Sequence, residues 1–179
     1  SVSLSLDNPP ITEGEIAGVS AMTSALLGKG SKKTDKDSFN EEVDFMGATI
    51  NFGSQSASAS SLSRYFGRVL ELMAEAALQP NFTQEEFDKE RDILLDGIKS
   101  GEKSVTTAAR RVENLLAYGK NHPYGEYIST ESVEKISLAD VKAFYKRYFL
   151  PNNAYLIIVG DVNAQDLKKQ VKKLFGKWR

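Results

Sequence analysis

The sequence predicts an α+β fold, a two-layer sandwich of a mainly antiparallel sheet with helices on one face. Three observations predict it: strand-like stretches are few, helix-length amphipathic stretches are several and irregularly ordered, and two short strands follow each other as a hairpin. Val2, Leu4 and Leu6 alternate onto one face of an opening strand. Asn8-Pro-Pro10 ends it, because proline donates nothing to a ladder. A helix is expected from about Gly14 to Gly28, with Ile16, Val19, Met22, Leu26 and Leu27 as its apolar stripe. Beside that stripe runs a ridge of small residues, Ala17, Ala21, Ser24, Ala25 and Gly28, suited to close approach by another backbone.

Asp37 or Ser38 is expected to cap a second helix that turns Phe39, Val43 and Met46 inward and stops at Gly47. The hairpin follows, with strands at 48–52 and 56–66 and Gly53-Ser-Gln55 between or continuing them. Helices are expected at 68–78, closed by Pro80, and after the capping pattern Thr83-Gln-Glu-Glu86. Another runs from about Thr106 to Tyr118, and a loop covers 119–125. Ser137-Leu-Ala-Asp140 then begins a helix carrying Val141, Phe144, Tyr145 and Tyr148, which Pro151 ends. Ala154 to Val159 reads as a buried strand, Gly160-Asp161 as a turn, and the last helix buries Leu167, Val171, Leu174 and Phe175.

With 179 residues, 41% of them apolar, the chain can build one core of its own, and residues 1–179 read as a single domain. Lys and Arg total 23 against 24 Asp and Glu, so no global field draws the protein to nucleic acid or an anionic membrane. Proteins or peptides are the expected partners. The longest apolar run, Ala154 to Val159, is far short of the ~20 residues a membrane-spanning helix needs. Starting within a strand suggests a fragment of a larger, two-domain subunit. The absence of Cys excludes internal disulfides and leaves the compartment open.

The inventory of chemical groups is as restrictive. A single His, His122, and no Cys leave a zinc site to be built almost wholly from carboxylates, whereas zinc prefers imidazole and thiolate. His122 lies in the loop between Asn121 and Pro123, where a hydrogen-bonding role is the simpler reading. Ser38, Ser54 and Ser63 lack a Gly-x-Ser-x-Gly elbow. Gly28-Lys-Gly-Ser31 has the wrong spacing for a phosphate loop. Lys168, Lys169, Lys172 and Lys173 occupy the side of the last helix opposite its apolar residues, with no aromatic interleaved, and read as a solvated face. Lys29, Lys32, Lys33 and Lys36 read as a loop.

Several local patterns occur in an order that resembles one domain of the pitrilysin/insulinase (inverzincin) family of zinc peptidases. They are Leu-Gly-Lys-Gly-Ser at 27–31, Phe-Asn-Glu-Glu-Val at 39–43, Gly-Ala-Thr-Ile-Asn at 47–51 and Gln-Pro-Asn-Phe at 79–82. After these come Glu-Glu-Phe-Asp-Lys-Glu-Arg at 85–91, Asn-His-Pro-Tyr-Gly at 121–125, Phe-Tyr-Lys-Arg-Tyr-Phe-Leu-Pro-Asn-Asn at 144–153 and Ile-Val-Gly-Asp-Val at 158–162. In that family the first helix bears His-x-x-Glu-His, two metal-binding imidazoles beside the catalytic carboxylate. Aligned on Lys29-Gly30-Ser31, the resemblance puts Ala21, Ser24 and Ala25 at those positions. It puts Gly97 where a third ligand, a Glu, would stand, with Asp96 and Glu102 close by in sequence.

The resemblance therefore implies a motif-free member, similar to the non-catalytic subunit of two-subunit processing peptidases. Such a domain is not expected to act alone. It would complete the peptide-binding chamber of a homologous zinc-bearing partner, with no cofactor in this chain and zinc in the partner subunit. Asn51, Phe52, Gly53, Ser54 and Gln55 match the family's edge strand that lies beside substrate, so they are the expected peptide-binding residues. The alternatives are a structural scaffold that binds no peptide, and part of a zinc peptidase whose catalytic motif lies in a missing region.

Overall fold

A computed structural model describes residues 1–179. Four strands, β1 (Val2–Leu6), β2 (Thr49–Gly53), β3 (Ser56–Ser60) and β4 (Ala154–Ile158), form one antiparallel sheet in the order β2-β3-β1-β4. The helices are α1 (Val19–Leu27), α2 (Lys36–Phe45), α3 (Phe66–Leu78), α4 (Gln84–Gly101), α5 (Val105–Tyr118), α6 (Thr130–Lys135), α7 (Leu138–Tyr148) and α8 (Ala164–Phe175). The expected α+β architecture is the observed one.

Alternation along the strands sets the two faces of the sheet. Val2, Leu4, Leu6, Ala57 and Ala59 are buried against α3, whose Val69, Leu70, Leu72, Met73, Ala76 and Ala77 exclude solvent completely. Leu27 of α1, Phe39 of α2 and Phe149 join this core. A second cluster lies between helices, where Val19, Met22 and Leu26 of α1 meet Phe87 and Ile98 of α4, Val133 and Ile136, and Val141 and Phe144 of α7. Helix α1 thus belongs to both cores, and it is the fixed reference for everything around it.

The helix expected over 14–28 is broken. A 3-10 turn covers Gly14–Ile16, and α1 begins only after Gly18, which has φ of 110°. A Cβ there would lie 3.1 Å from Ile128 Cγ2 and 3.3 Å from Val133 Cγ2, so glycine is required by both backbone and space. Ser132 of α6 secures the break by donating its hydroxyl to the Ala17 carbonyl at 2.7 Å. Helix α6 itself was not expected. Its Ser129–Ser132 capping box starts a six-residue helix too short to show a periodic apolar stripe.

Other boundaries shift for local reasons. The cap of α2 is Asp35, whose carboxylate accepts from Asp37 N and Ser38 N, rather than Asp37 or Ser38. Strand β3 ends at Ser60, and a 3-10 turn at Ser63–Tyr65 leads into α3. Thr83, Ser104 and Ser137 cap α4, α5 and α7, and Gly47 follows α2 with φ of 56°. Strand β4 is not buried: it is an edge strand whose Tyr155 and Ile157 are exposed, as is Val159 just beyond it, while Leu156 and Ile158 pack on the core. Continuous hydrophobicity suggested two covered faces, but this chain covers only one. Leu167, Val171, Leu174 and Phe175 of α8 pack against the same core and remain partly exposed.

Candidate functional site

The small-residue ridge of α1 does three different things along its length. Ala17 is buried beneath Ser132. Ser24 faces the β2–β3 hairpin, where its Oγ accepts the Ser54 backbone N–H at 2.7 Å. A Cβ on Gly28 would sit 3.8 Å from the Phe52 ring, so that end of the ridge does admit a close neighbour. Ala21 and Ala25, one turn apart, instead line an open cleft of about 630 Å³. Opposite them are Glu90, Ile93, Leu94, Gly97, Ile98 and Gly101 of α4, one face of that helix at successive turns. Thr107 and Arg111 of α5 and Ile128 complete the wall.

Three of the four positions singled out from sequence, Ala21, Ala25 and Gly97, therefore meet in one cleft, although Gly97 lies 72 residues beyond Ala25 and farther still from Ala21. The fourth, Ser24, lies on the same helix but is turned to the hairpin. Asp96 and Glu102 do not reach the cleft; the carboxylate that does is Glu90, which is ion-paired to Lys29. Nowhere do three or more His, Cys, Asp or Glu side chains converge as a metal-binding group. What remains is an apolar-walled space with few polar groups: Thr107, the neutralised Glu90 and Arg111, whose guanidinium stacks on the Tyr127 ring at 5.1 Å.

Asn51, Phe52 and Gly53 belong to β2, which pairs with β3 on one side and with no strand on the other. Asn51 is exposed and Phe52 half-buried against Phe39, with ring centres 6.4 Å apart. Ser54 and Gln55 form the turn, and Gln55 O accepts the Leu6 N–H at 2.9 Å. Anchored by Ser24 and Leu6, this hairpin end presents a fixed sheet edge beside α1.

His122 is a loop residue. Its Nδ1 accepts the Tyr124 N–H at 3.1 Å, and its ring stacks on Tyr118 at 5.3 Å. Three of the four 29–36 lysines are paired: Lys29, Lys33 and Lys36 meet Glu90, Glu75 and Glu86, fastening the loop after α1 to α3 and α4. Lys168, Lys169, Lys172 and Lys173 are exposed on α8. Sequence reasoning missed Ile93, Arg111 and Ile128 as cleft residues. No local pattern marks them, since they converge only through the packing of α4, α5 and the loop before α6.

Comparison with known proteins agrees with the geometry. The family model for insulinase (peptidase family M16) matches residues 12–129, and that for the peptidase M16 inactive domain matches residues 135–179. The chain is 27% identical to the stromal processing peptidase of Arabidopsis thaliana, over 92% of this chain and 14% of that protein. It is 26% identical to the zinc protease PqqE of Helicobacter pylori, over 89% and 37%. With cytochrome b-c1 complex subunit 1 of Bos taurus the identity is 23%, over 84% and 32%. The chain thus spans well under half the length of each of these relatives. Among solved structures, a protease from Helicobacter pylori superposes with a TM-score of 0.84 at 24% identity, covering 99% of this chain and 45% of that one. A peptidase M16 inactive domain from Pseudomonas fluorescens superposes at 0.83 and 22% identity, covering 98% and 44%. The chain belongs to the insulinase family, peptidase family M16.

Proposed function

We propose that this chain is a non-catalytic domain that completes the peptide-binding chamber of a homologous, zinc-bearing partner subunit. The observation that carries the reading is the cleft itself. Ala21, Ala25 and Gly97 converge where the family resemblance expects ligands, so the space is kept while the groups able to hold zinc are replaced by short side chains. Water activation by a metal would have to come from another chain. Peptide would be held by strand addition, its backbone pairing with the open edge of β2 at Asn51, Phe52 and Gly53 while the turn at Ser54 and Gln55 stays fixed by Ser24.

Purified protein is expected to contain no stoichiometric zinc by atomic absorption and to cut no peptide until a homologue carrying His-x-x-Glu-His is added. Cleavage by the isolated chain refutes the proposal. Asn51→Pro is expected to weaken peptide capture in a folded variant, and unchanged affinity removes strand addition as the means.

A structural scaffold is the second reading. It is favoured by the uncovered apolar residues Val105, Val112 and Leu116 on α5, Tyr155 and Ile157 on β4 and Val159 just after it, and by similarity to a subunit of the cytochrome b-c1 complex. A scaffold would assemble with its partner and bind no peptide, so peptide affinity separates the two readings.

A further inference from the structure

Among the ionisable side chains lining the cleft between α1, α4 and α5, one has no counter-charge. Glu90 is neutralised by Lys29, whereas Arg111 has no carboxylate within ion-pairing distance and rests on Tyr127. A second surface cleft of similar size, beneath α2, makes the contrast plain: its Arg68 is held by both oxygens of Glu42, at 2.7 and 2.8 Å. The α1–α4–α5 cleft therefore combines apolar walls from Met22, Ile93, Leu94 and Ile128 with a single unsatisfied cation. Its volume of about 630 Å³ lies within the ~300–1,000 Å³ typical of pockets that enclose a small ligand.

We infer that this cleft holds the C-terminal residue of a bound peptide, its aliphatic side chain beside Ala21, Ala25 and Gly97 and its α-carboxylate on the Arg111 guanidinium. This rests on the peptide-binding reading above and names the part of the peptide that is recognised. Charge complementarity selects the occupant. The planar guanidinium offers a fork of donors that matches a carboxylate, and apolar surroundings strengthen the pair. A polyanion would bring charge against the apolar walls, and a divalent cation would find only a carboxylate already paired to lysine. An internal Asp or Glu carries its carboxylate at the end of a polar arm and leaves the walls bare. Only a terminal residue joins an aliphatic side chain and a carboxylate at one Cα.

The test is fluorescence anisotropy with the 179-residue chain and a labelled hexapeptide of five alanines ending in leucine, as free acid and as C-terminal amide. The acid is expected to bind roughly 10- to 100-fold more tightly than the amide, the range for a hydrogen bond to a charged group. Arg111→Leu should bring the acid down to the amide's affinity and leave the amide unchanged. Gly97→Leu should weaken both forms: an added Cβ at Gly97 meets nothing within 4 Å, so the larger side chain enters the cleft without disturbing the fold, and the thermal midpoint reports that directly. Equal binding of acid and amide, or full affinity in Gly97→Leu, overturns the inference while leaving the chamber reading intact. Decanoate competing as strongly as the peptide acid overturns the peptide assignment. Failure of every peptide to bind, with no activation of a zinc-bearing partner, overturns both.

Discussion

Single side chains close the gaps between elements, and their energetics can be measured. Tyr145 donates its hydroxyl to the Ala77 carbonyl at 2.7 Å, joining α7 to the last turn of α3, and burial raises its pKa well above that of a free phenol. Tyr145→Phe keeps the ring and strands the carbonyl, so a loss of roughly 1–3 kcal/mol is expected in urea unfolding. Ser132→Ala should cost a comparable amount by orphaning the Ala17 carbonyl. Glu42 behaves differently because it is part-exposed. Hydrogen bonds from Arg68 hold its carboxyl below the ordinary glutamate value of 4.5, outweighing a smaller upward push from desolvation. Its folded-state value is depressed, so its contribution is complete above the unfolded value and disappears as pH falls through the folded one. Glu42→Gln should lower stability by at most about 1 kcal/mol at neutral pH after solvent screening, and the difference from wild type should vanish in acid. Urea midpoints at both pH values check this.

At the scale of elements, α1 decides how the small residues are used. The break at Gly18 sets the direction of the helix, and that direction sends Ser24 to the hairpin and Ala21 and Ala25 to the cleft. Gly18→Ala is expected to destabilise the domain by more than the ~1 kcal/mol of a simple glycine replacement, because it combines a positive φ with crowding by Ile128 and Val133. Loss of thermal midpoint with retained secondary structure is the expected readout. Gly30 is stricter still, with φ of 82° and a Cβ position 2.8 Å from the Thr34 carbonyl oxygen and the Lys36 nitrogen. Helix α5 stands at the other extreme. It has no buried residue, and Val105, Val112 and Leu116 face outward, so its packing is the loosest in the domain. Amide exchange should be faster along α5 than along α3, whose apolar face is sealed by the sheet.

Across the whole molecule, two cores share one helix and leave two surfaces open. The sheet's outer face is serine-rich over β1 and β3 but apolar on β4. No helix is long and apolar enough to cross a membrane. Much of this was legible in advance. Alternation in 2–6, the capping residues at Thr83 and Ser137, and the proline and glycine stops are local signals, and each became the element expected of it. The ordered patterns from 27 to 162 carried the family, which the match over 12–129 bears out. Signals of mixed origin were read less well. Ala154–Val159 has one hydrophobicity but two environments, and a helical ridge of small residues is compatible with a close neighbour, a hairpin or a void.

The sequence by itself determined the α+β class, the family and the lack of imidazole and thiolate ligands, because composition, periodicity and capping are properties of neighbouring residues. Tertiary structure alone decided that Ala21, Ala25, Gly97 and Arg111 border one cleft and that the Arg111 charge is left uncompensated there. Those facts depend on how α1 packs against α4 and α5, which are far from it in sequence, and no local pattern encodes a distance across a fold.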